Sequence, residues 1–410
     1  MIIDFTVQNF LSFREEQTLS FVADNKNLAH SSHLLETPIT GLKLLKVAVI
    51  YGPNASGKSN FLSALHRLKQ LVVTSVSNAP NDELDVMPFR LDKESSASPT
   101  SFEINFLCNG IRYNYSTLLD SQKIYSEYLS YYPKKYKKNI FTRELSDSDE
   151  YIYSFGDDLK PKRIYDDIAL KTSDKVLFLS KAIQDNSKFL KPVYDWFDKF
   201  LLEQSSLEDA AKQINTDNAF KQNFLEFIRK QDIDIINVDV DSSSLAEKII
   251  KSDKDMPPEM REKILKNFND KVVYDIQTFH KDSDGDLIPF EFGLESHGTH
   301  KLFALSPLVL EQTPKTFYVD ELSSALHPLL VRNFLKTFHE TTDSQMVCVT
   351  HDTHLIDPEF LRKDQIYFVE KDQEQSSSLY SLLEFNPRND RENWELRYLS
   401  GRYGATPYLK

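Results

Sequence analysis

The sequence has few cysteines, and the two that are present lie far apart. Cys108 and Cys348 each flank an apolar, strand-like stretch in a chain of 410 residues. A disulfide framework or a cysteine-based metal site needs several such residues at characteristic spacings. We therefore predict that both cysteines are small buried residues rather than a disulfide or a pair of metal ligands.

Long apolar runs are also missing. No stretch approaches the roughly 20 apolar residues that a membrane-spanning helix requires. The first residues, Met1–Phe5, lack the basic and apolar regions of a secretory signal. The sequence therefore predicts a cytoplasmic protein that does not associate with membranes.

Basic residues are fewer than acidic residues in this chain. Lysine and arginine number 49 against 62 aspartate and glutamate residues, which gives a formal net charge of −13. A dedicated duplex-DNA-binding protein is usually basic over at least one domain. The field of the whole chain therefore opposes non-specific binding of nucleic acid, and only local basic patches are compatible with such binding.

The most informative stretch is a strand-like run followed by a glycine-containing octapeptide. Lys46–Tyr51 is mostly apolar and rich in β-branched residues, as in a buried parallel strand. Gly52–Ser59 matches the pattern G-x-x-x-x-G-K-[ST], and Asn60 begins an apolar helical pattern. Strand, glycine loop and helix in this order form the context of a phosphate-binding loop. We predict a nucleoside triphosphate site here.

Each residue type in this loop suits a triphosphate. Gly52 and Gly57 allow the backbone N–H groups to face one point at a helix N-terminus, where anions are favoured. Lys58 supplies charge for the β- and γ-phosphates, and the Ser59 hydroxyl can ligate Mg²⁺. The other predicted nucleotide-binding residues are Pro53, Asn54, Ala55, Ser56 and Asn60.

A second strand-like run ends in two carboxylates. Thr316–Val319 is followed by Asp320, which we predict to hold Mg²⁺ directly or through water. Glu321 is predicted to orient and deprotonate the attacking water as a general base. A further apolar strand, Met346–Val349, leads to His351, at the end of a strand where ligands bind in open α/β sheets. We predict a catalytic role for His351 beside Lys58 and Glu321, with a structural histidine as the alternative.

The two halves of this site are far apart in the sequence. Residues Lys58 and Asp320 are 262 positions apart, which is more than an uninterrupted phosphate-loop domain needs. Between about residues 164 and 269 the apolar residues recur at helical spacing. We therefore predict an N-terminal half of the core over residues 1–145, a mainly helical insertion over 146–270, and a C-terminal half over 271–410.

Strand patterns surround the phosphate loop. Two short runs before it predict a small antiparallel sheet. Most of its side chains are expected to cover the core, and Ser12, Phe13 and Arg14 are candidates for contacting the nucleotide. Residues 101–116 alternate around Asn109-Gly110, which predicts a hairpin. A similar Asp-Gly turn in Asp282–Asp286 predicts a hairpin rather than a calcium loop, because the glycine and glutamate positions do not fit.

Two further stretches are candidates for binding anions. Lys134–Lys138 contains four lysines around a tyrosine, which could contact a phosphate backbone and stack a base, or could form a solvated hairpin tip. Glu295–Thr299 precedes a helical pattern and places serine and glycine at a helix N-terminus.

The combined motifs resemble an ABC-type ATPase of the SMC, RecF and OLD branch. More narrowly, the chain is similar to compact AAA/ABC-type ATPases of bacterial abortive-infection systems, of the RloA/AbiL type and their relatives in PARIS. The resemblance rests on the following segments: Gln8–Phe13, Gly52–Ser59, Ser296–Thr299, Asp320–Pro328, Thr350–His354, Arg362–Lys371 and Tyr398–Pro407.

This resemblance implies a fold and an assembly. The fold is an α/β ABC-type core, a mixed sheet with helices, with an N-terminal antiparallel β subdomain and a helical insertion. Ser296 and Gly298 would complete the site of a second copy, giving a homodimer or higher homo-oligomer with composite ATP sites. His297 departs from the acidic residue that is usual in relatives, so turnover or its pH response would differ. No glutamine is assigned to sensing the γ-phosphate, since Gln70 lies too close to the phosphate-loop helix.

The resemblance also implies partners. Members work with a nuclease or toxin, and only 59 residues follow His351, too few for a fused nuclease domain. We therefore expect an ATPase that uses ATP and Mg²⁺, responds to a phage-encoded trigger and controls a separate effector protein. The alternatives are a RecF- or SMC-like DNA-repair ATPase acting on DNA ends or gaps, and a scaffold that binds ATP and hydrolyses it slowly.

Overall fold

The computed structural model describes residues 1–79, 81–203, 206–252, 256–388 and 392–407. The chain separates into two compact units. The first unit comprises Met1–Glu203, Thr313–Leu322 and Asp343–Lys410, and the second unit comprises Gln204–Gln312 and Ser323–Thr342.

Strands and helices alternate along much of the chain. The strands are Ile2–Gln8 (β1), Gln17–Ser20 (β2), Leu34–Glu36 (β3), Lys43–Leu45 (β4), Val47–Tyr51 (β5), Thr100–Cys108 (β6), Ile111–Leu119 (β7), Ile124–Tyr132 (β8), Lys138–Leu145 (β9), Tyr151–Phe155 (β10), Leu201–Glu203 (β11), Asn237–Ser244 (β12), Val272–Lys281 (β13), Leu287–Glu291 (β14), Thr316–Val319 (β15), Gln345–Val349 (β16), Ile366–Lys371 (β17) and Ser377–Ser381 (β18). The helices are Lys58–Thr74 (α1), Lys93–Ser96 (α2), Lys162–Leu170 (α3), Phe178–Gln184 (α4), Lys191–Asp195 (α5), Leu207–Thr216 (α6), Asn218–Lys230 (α7), Leu245–Ser252 (α8), Pro258–Phe268 (α9), His297–Leu310 (α10), Pro328–Thr341 (α11) and Trp394–Leu399 (α12).

The first unit contains two large sheets. One is antiparallel with the order β10-β9-β8-β7-β6-β1-β2, and the other is mixed with the order β11-β15-β16-β5-β17-β18. In the mixed sheet β11, β15, β16, β5 and β17 are parallel, and β18 is antiparallel. The predicted α/β architecture, a mixed sheet with helices beside an N-terminal antiparallel subdomain, is confirmed.

Helix α1 shares one apolar core with both sheets. Phe61 on α1 contacts Phe5 of the antiparallel sheet edge-on at 5.5 Å between ring centroids. The fully buried Gln345 of β16 links the sheets, because its amide accepts from Ile2 N at 2.6 Å and donates to Ile2 O at 3.0 Å. The helix that follows the glycine loop is therefore held by β1 as well as by its own sheet.

The short turns agree with the sequence patterns. Asn109 and Gly110 both adopt positive φ, as a two-residue hairpin between β6 and β7 requires. Residues 282–286 form the turn between β13 and β14, with Gly285 N donating to Asp282 O at 3.2 Å. Cys108 and Cys348 are both buried and free, which confirms the prediction that they are small buried residues.

The compact units differ from the predicted segments 1–145, 146–270 and 271–410. Strand β10 and helices α3 to α5 belong to the first unit, although they lie within the predicted helical insertion. Their apolar faces cover the antiparallel sheet, since Phe178 on α4 contacts Phe141 on β9 at 4.8 Å between ring centroids. A helix that covers a sheet has the same periodicity as a helix in an insertion, so the spacing alone does not distinguish the two arrangements.

The second unit combines helices with a three-stranded sheet. The sheet order is β12-β13-β14, so β12 also interrupts the predicted helical block. Phe303 of α10 contacts Phe224 of α7 and Phe292 at 4.7 Å between ring centroids. These rings form the centre of the helical part of this unit. In the described part of the chain, no helix is both long and apolar enough to cross a bilayer.

A buried ion pair closes the loop that leads into β17. Arg362 is fully buried, and its Nη2 lies 2.7 Å from Asp364 Oδ2. Arg362 Nη1 also donates to the carbonyl oxygens of Asn27 and Ala29, each at 2.8 Å. The Arg362 guanidinium and the Asp364 carboxylate are both removed from water, so the loss of one leaves the other charge unsatisfied.

We predict that Arg362→Met lowers the free energy of unfolding by about 3–5 kcal/mol, because the Asp364 carboxylate is then buried without a cation. Lys363→Met is the matched control, since the Lys363 ammonium group donates an exposed hydrogen bond to Asn386 Oδ1. Urea unfolding followed by circular dichroism measures both variants. Equal unfolding midpoints in the two variants would contradict the role of the buried pair.

Candidate functional site

Three neighbouring parallel strands bring the predicted site residues to one edge of the mixed sheet. In the register of β15, β16 and β5, Val319 lies opposite Cys348, and Val349 lies opposite Ile50. The segments that follow these strands begin at Asp320, Thr350 and Gly52. Ligands bind outside the carboxyl ends of strands in open α/β sheets, and this edge is such a position.

The glycine loop has the curvature expected of a phosphate-binding loop. Gly57 has a φ of +112° and lies directly before α1. A Cβ at Gly57 would overlap Ser377 Oγ and would lie 2.6 Å from Ser12 Oγ, and a Cβ at Gly52 would overlap the Val369 carbonyl oxygen. Both glycines are therefore needed for close approach of neighbouring segments as well as for conformation.

Lys58 is held across the loop by backbone carbonyl groups. Its Nζ donates to Gly52 O and Pro53 O, each at 2.9 Å. Burial lowers the pKa of Lys58, and the negative charges of Asp320 and Glu321 oppose that shift. The lysine therefore lies close to both predicted carboxylates, in a position where an anionic ligand would stabilise its charged form.

The two carboxylates that follow β15 are exposed at this edge. Glu321 has a φ of +48°, and its backbone N–H donates to Asp320 Oδ1 at 3.0 Å. A positive φ is uncommon for a residue other than glycine, and such residues cluster at functional sites. The tight turn leaves both carboxylates accessible while the chain returns to the sheet through Leu322 N, which donates to Val349 O at 2.9 Å.

His351 shares the electrostatic environment of these residues. Burial lowers the pKa of His351, and the nearby charge of Lys58 lowers it further, while Glu321 and Asp320 raise it. The imidazole is therefore neutral at pH 7, with one nitrogen able to donate and one able to accept a hydrogen bond. The structure brings Lys58, Asp320, Glu321 and His351 together, as the sequence predicts.

The loop suits a triphosphate with Mg²⁺. Ser59 is exposed at the start of α1, so its hydroxyl is accessible to a metal ion. Among the described residues, the buried Ser56 Oγ makes no hydrogen bond. Backbone N–H groups at a helix N-terminus, one ammonium group and a hydroxyl–carboxylate pair form a donor set that matches the phosphates and a hard cation.

Sequence reasoning missed the residue that supports the loop from behind. Ser377 Oγ donates to Ser56 O at 2.6 Å and lies 2.8 Å from Ser12 Oγ, whose own hydroxyl can donate to it. Ser12 Oγ also accepts a hydrogen bond from Asn60 Nδ2 at 2.8 Å. Ser377 begins the edge strand β18, and no local motif marks it. Only the strand order, which places β18 in the same sheet as β5, reveals its role.

The three nucleotide-side candidates near the N-terminus have different surroundings. Ser12 contacts the phosphate loop, as described above. Phe13 is fully buried and contacts the Phe61 ring at 5.9 Å between centroids, so it is a core residue. Arg14 forms an ion pair with Glu374 and lies 6.0 Å from the Phe89 ring centroid.

Ser296 and Gly298 belong to the second unit. Ser296 Oγ accepts a hydrogen bond from Thr299 N at 3.1 Å and therefore caps the N-terminus of α10. A Cβ at Gly298 would lie 3.0 Å from Ala325 O, so glycine allows the helix to approach this loop closely. The predicted serine–glycine motif thus lies at a helix N-terminus. Its role in a second copy's site stays a prediction.

The sequence matches one protein-family model over residues 47–357, more than half of the chain. The family is described as "AAA domain, putative AbiEii toxin, Type IV TA system". The chain belongs to this family. The matched region includes the glycine loop and the segments that follow β15 and β16, so this AAA family shares the part of the chain that forms the site. Among curated proteins, none matches the sequence significantly.

Solved structures with a related arrangement are only distantly similar to this AAA protein. The SMC head domain from Thermotoga maritima has 15% identity and a TM-score of 0.40, covering 93% of this chain and 98% of that chain. The recombination mediator protein RecF-ATPrS in the RecFOR pathway has 15% identity and a TM-score of 0.38, covering 92% and 98%. At this level the family assignment depends on the sequence match.

We predict that the His351 imidazole in the nucleotide-free protein titrates below its ordinary value of about 6.5. Glu321→Gln removes a negative charge and is expected to lower this midpoint further, whereas Lys58→Ala is expected to raise it. Two-dimensional NMR of the histidine side chains measures the titrations. His354 is the internal control, because its pKa is raised by Asp352 and Glu395. A His351 midpoint that neither variant moves would show that these residues do not share one site.

Proposed function

We propose that this protein is the ATP-binding and ATP-hydrolysing switch of a bacterial abortive-infection system that controls a separate nuclease or toxin. The observation that carries the catalytic part is the convergence of Lys58, Asp320, Glu321 and His351 at the carboxyl edge of three parallel strands. Membership of an AAA family supports the choice of a nucleoside triphosphate as substrate.

The chain's own residues divide the work of hydrolysis. The loop N–H groups and Lys58 bind and orient the phosphates, and Ser59 and Asp320 would hold Mg²⁺. When bound, Mg²⁺ supplies positive charge that stabilises the charge developing on the phosphate oxygens. Glu321 orients the attacking water and accepts its proton. The neutral His351 donates a hydrogen bond to the γ-phosphate side of the site.

The second unit carries the residues that the proposed assembly requires. In the proposed homodimer or higher homo-oligomer, Ser296 and Gly298 at the N-terminus of α10 complete the ATP site of another copy. A helix N-terminus with serine at the N-cap suits a phosphate, because the helix dipole favours an anion there. ATP binding would then favour the assembled state, and hydrolysis would release it.

The defence role rests on the family and on the resemblance to RloA/AbiL-type and PARIS ATPases. The family description names a toxin of a type IV toxin–antitoxin system, which supports a two-component arrangement. We assign the toxic activity to a separate effector protein, which is released in response to a phage-encoded trigger.

Lys58→Ala is expected to weaken ATP binding by at least about thirtyfold, because a partly buried charge partner of the phosphates is lost. Isothermal titration calorimetry with ATP and Mg²⁺ measures the affinity. Lys93→Ala, at an exposed lysine on α2, is the matched control and is expected to bind as the natural protein does. Undiminished affinity in Lys58→Ala would contradict the site.

Glu321→Gln is expected to retain ATP binding and to lower kcat by about 10²–10⁴-fold, because the water loses its general base. The variant should also accumulate as an ATP-bound oligomer, which light scattering after size-exclusion chromatography detects. Glu340→Gln removes an exposed carboxylate of α11 and is the control. Turnover at the natural rate in Glu321→Gln would refute the assignment of Glu321 as the general base. It would favour the alternative of a scaffold that binds ATP and hydrolyses it slowly.

The effector is tested by co-expression with the neighbouring gene. The account predicts that the neighbouring protein co-purifies with this chain and leaves it when infection is mimicked. Tight, ATP-dependent binding of duplex DNA at physiological salt, with no co-purifying protein, would instead favour a RecF-like repair function.

A further inference from the structure

A basic hairpin tip stands out on the surface of the first unit. It lies between β8 and β9 and contains Lys134, Lys135, Lys137 and Lys138, all of them exposed. Tyr136 lies between these lysines with 78% of its surface exposed. A concentration of positive charge at one point is unexpected in a chain with a net charge of −13.

A second basic segment lies beside this tip. Gly156 N donates to Ile140 O at 2.8 Å, which holds the chain after β10 against the start of β9. The following residues, Lys160–Arg163, contain three exposed cations. A hydrogen bond from Tyr131 lowers the pKa of Asp158, and the positive charges of Lys138 and Lys160 lower it further, so both segments act on one carboxylate. We refer to residues 134–138 and 160–163 together as the basic tip.

Few acidic groups neutralise the basic tip. Lys138 forms an ion pair with Asp158 at 3.5 Å, and Lys162 forms one with Asp157 at 3.4 Å. Within the described residues, the other cations of the basic tip form no ion pair. The excess positive charge is therefore available to an external anion.

Aromatic rings accompany these charges. Besides Tyr136, the ring of Tyr132 lies 4.7 Å from the Arg112 guanidinium carbon, just before the tip. Phe189 is 40% exposed and contacts the Tyr131 ring edge-on at 6.4 Å between centroids. Exposed rings beside lysines offer flat apolar surfaces next to positive charge. An acidic polypeptide ligand would need the positive charge but not the flat apolar surfaces.

We infer that the basic tip binds single-stranded nucleic acid, with its lysines on the phosphates and Tyr136 stacked on an unpaired base. Lysine contacts to phosphates supply affinity without sequence preference, and base–aromatic stacking requires bases that are not paired. The acidic remainder of the chain confines the contact to this tip. This binding is independent of the proposed ATP site.

The charge contribution is tested with the full chain and fluorescein-labelled oligo-dT and oligo-rU of about 15 nucleotides. Anisotropy titrations between about 50 and 200 mM KCl give the slope of log K against log salt concentration. The triple substitution Lys134→Gln, Lys135→Gln and Lys137→Gln is expected to reduce the magnitude of this slope by about 2, since each lost phosphate contact contributes about 0.7. A triple substitution at Lys26, Lys93 and Lys371 changes the net charge equally and is expected to leave the slope unchanged.

The stacking contribution is tested at one residue. Tyr136→Ser is expected to weaken binding of the single strand about tenfold, and Tyr136→Phe is expected to restore it, because phenylalanine retains the ring. Circular dichroism melting checks that the exposed hairpin tip still folds in each variant.

Four outcomes would overturn the inference: no salt-dependent binding of either oligonucleotide, equal losses in the two triple variants, no effect of Tyr136→Ser, or tighter binding of a matched duplex than of the single strand. Binding of oligo-dT and oligo-rU alike supports it, and so does a preference for one of the two. Since the titrations contain no ATP, and Lys58→Ala is expected to bind the oligonucleotides normally, failure here leaves the ATP site unaffected.

Discussion

Backbone hydrogen bonds between β15, β16 and β5 are the constraint on which the candidate site depends. They fix the register of three parallel strands, so segments that lie far apart in the sequence end at one edge of the sheet. Asp320 and Lys58 approach each other for this reason, and not because any residue between them is specialised for the purpose. A shift of one residue in either pairing would turn every side chain of that strand to the other face of the sheet and would separate the residues of the site.

A second constraint acts behind the glycine loop. Ser12 lies in the turn between β1 and β2, Ser377 begins β18, and both fill the space that a side chain at Gly57 would occupy. The loop is therefore shaped by packing as well as by its own sequence. The same contacts connect the antiparallel sheet to the loop, so movement of that sheet would displace the loop where the phosphates are proposed to bind.

The sequence predicts the local structure of the candidate site more closely than the architecture around it. The glycine loop and the Asp320-Glu321 turn are local motifs whose chemistry demands particular residues at particular spacings, and both lie where the motifs predict. The hairpin turn at Asn109-Gly110 is likewise local. In contrast, helices α3 to α5 cover the antiparallel sheet, and periodicity does not reveal which surface an amphipathic helix covers. The contact of Ser377 with the glycine loop was not predicted for a related reason, because it arises only from the pairing of β17 with β5 and β18.

The proposed hydrolysis requires that one metal ion is held jointly by the segments that follow β5 and β15. The direct measurement is anomalous X-ray scattering from crystals of the Glu321→Gln protein with ATP and Mn²⁺, which takes oxygen ligands in similar sites. The account predicts a single strong manganese peak between Ser59 Oγ and the Asp320 carboxylate. A manganese peak that contacts neither residue, or ATP bound away from the glycine loop, would contradict it.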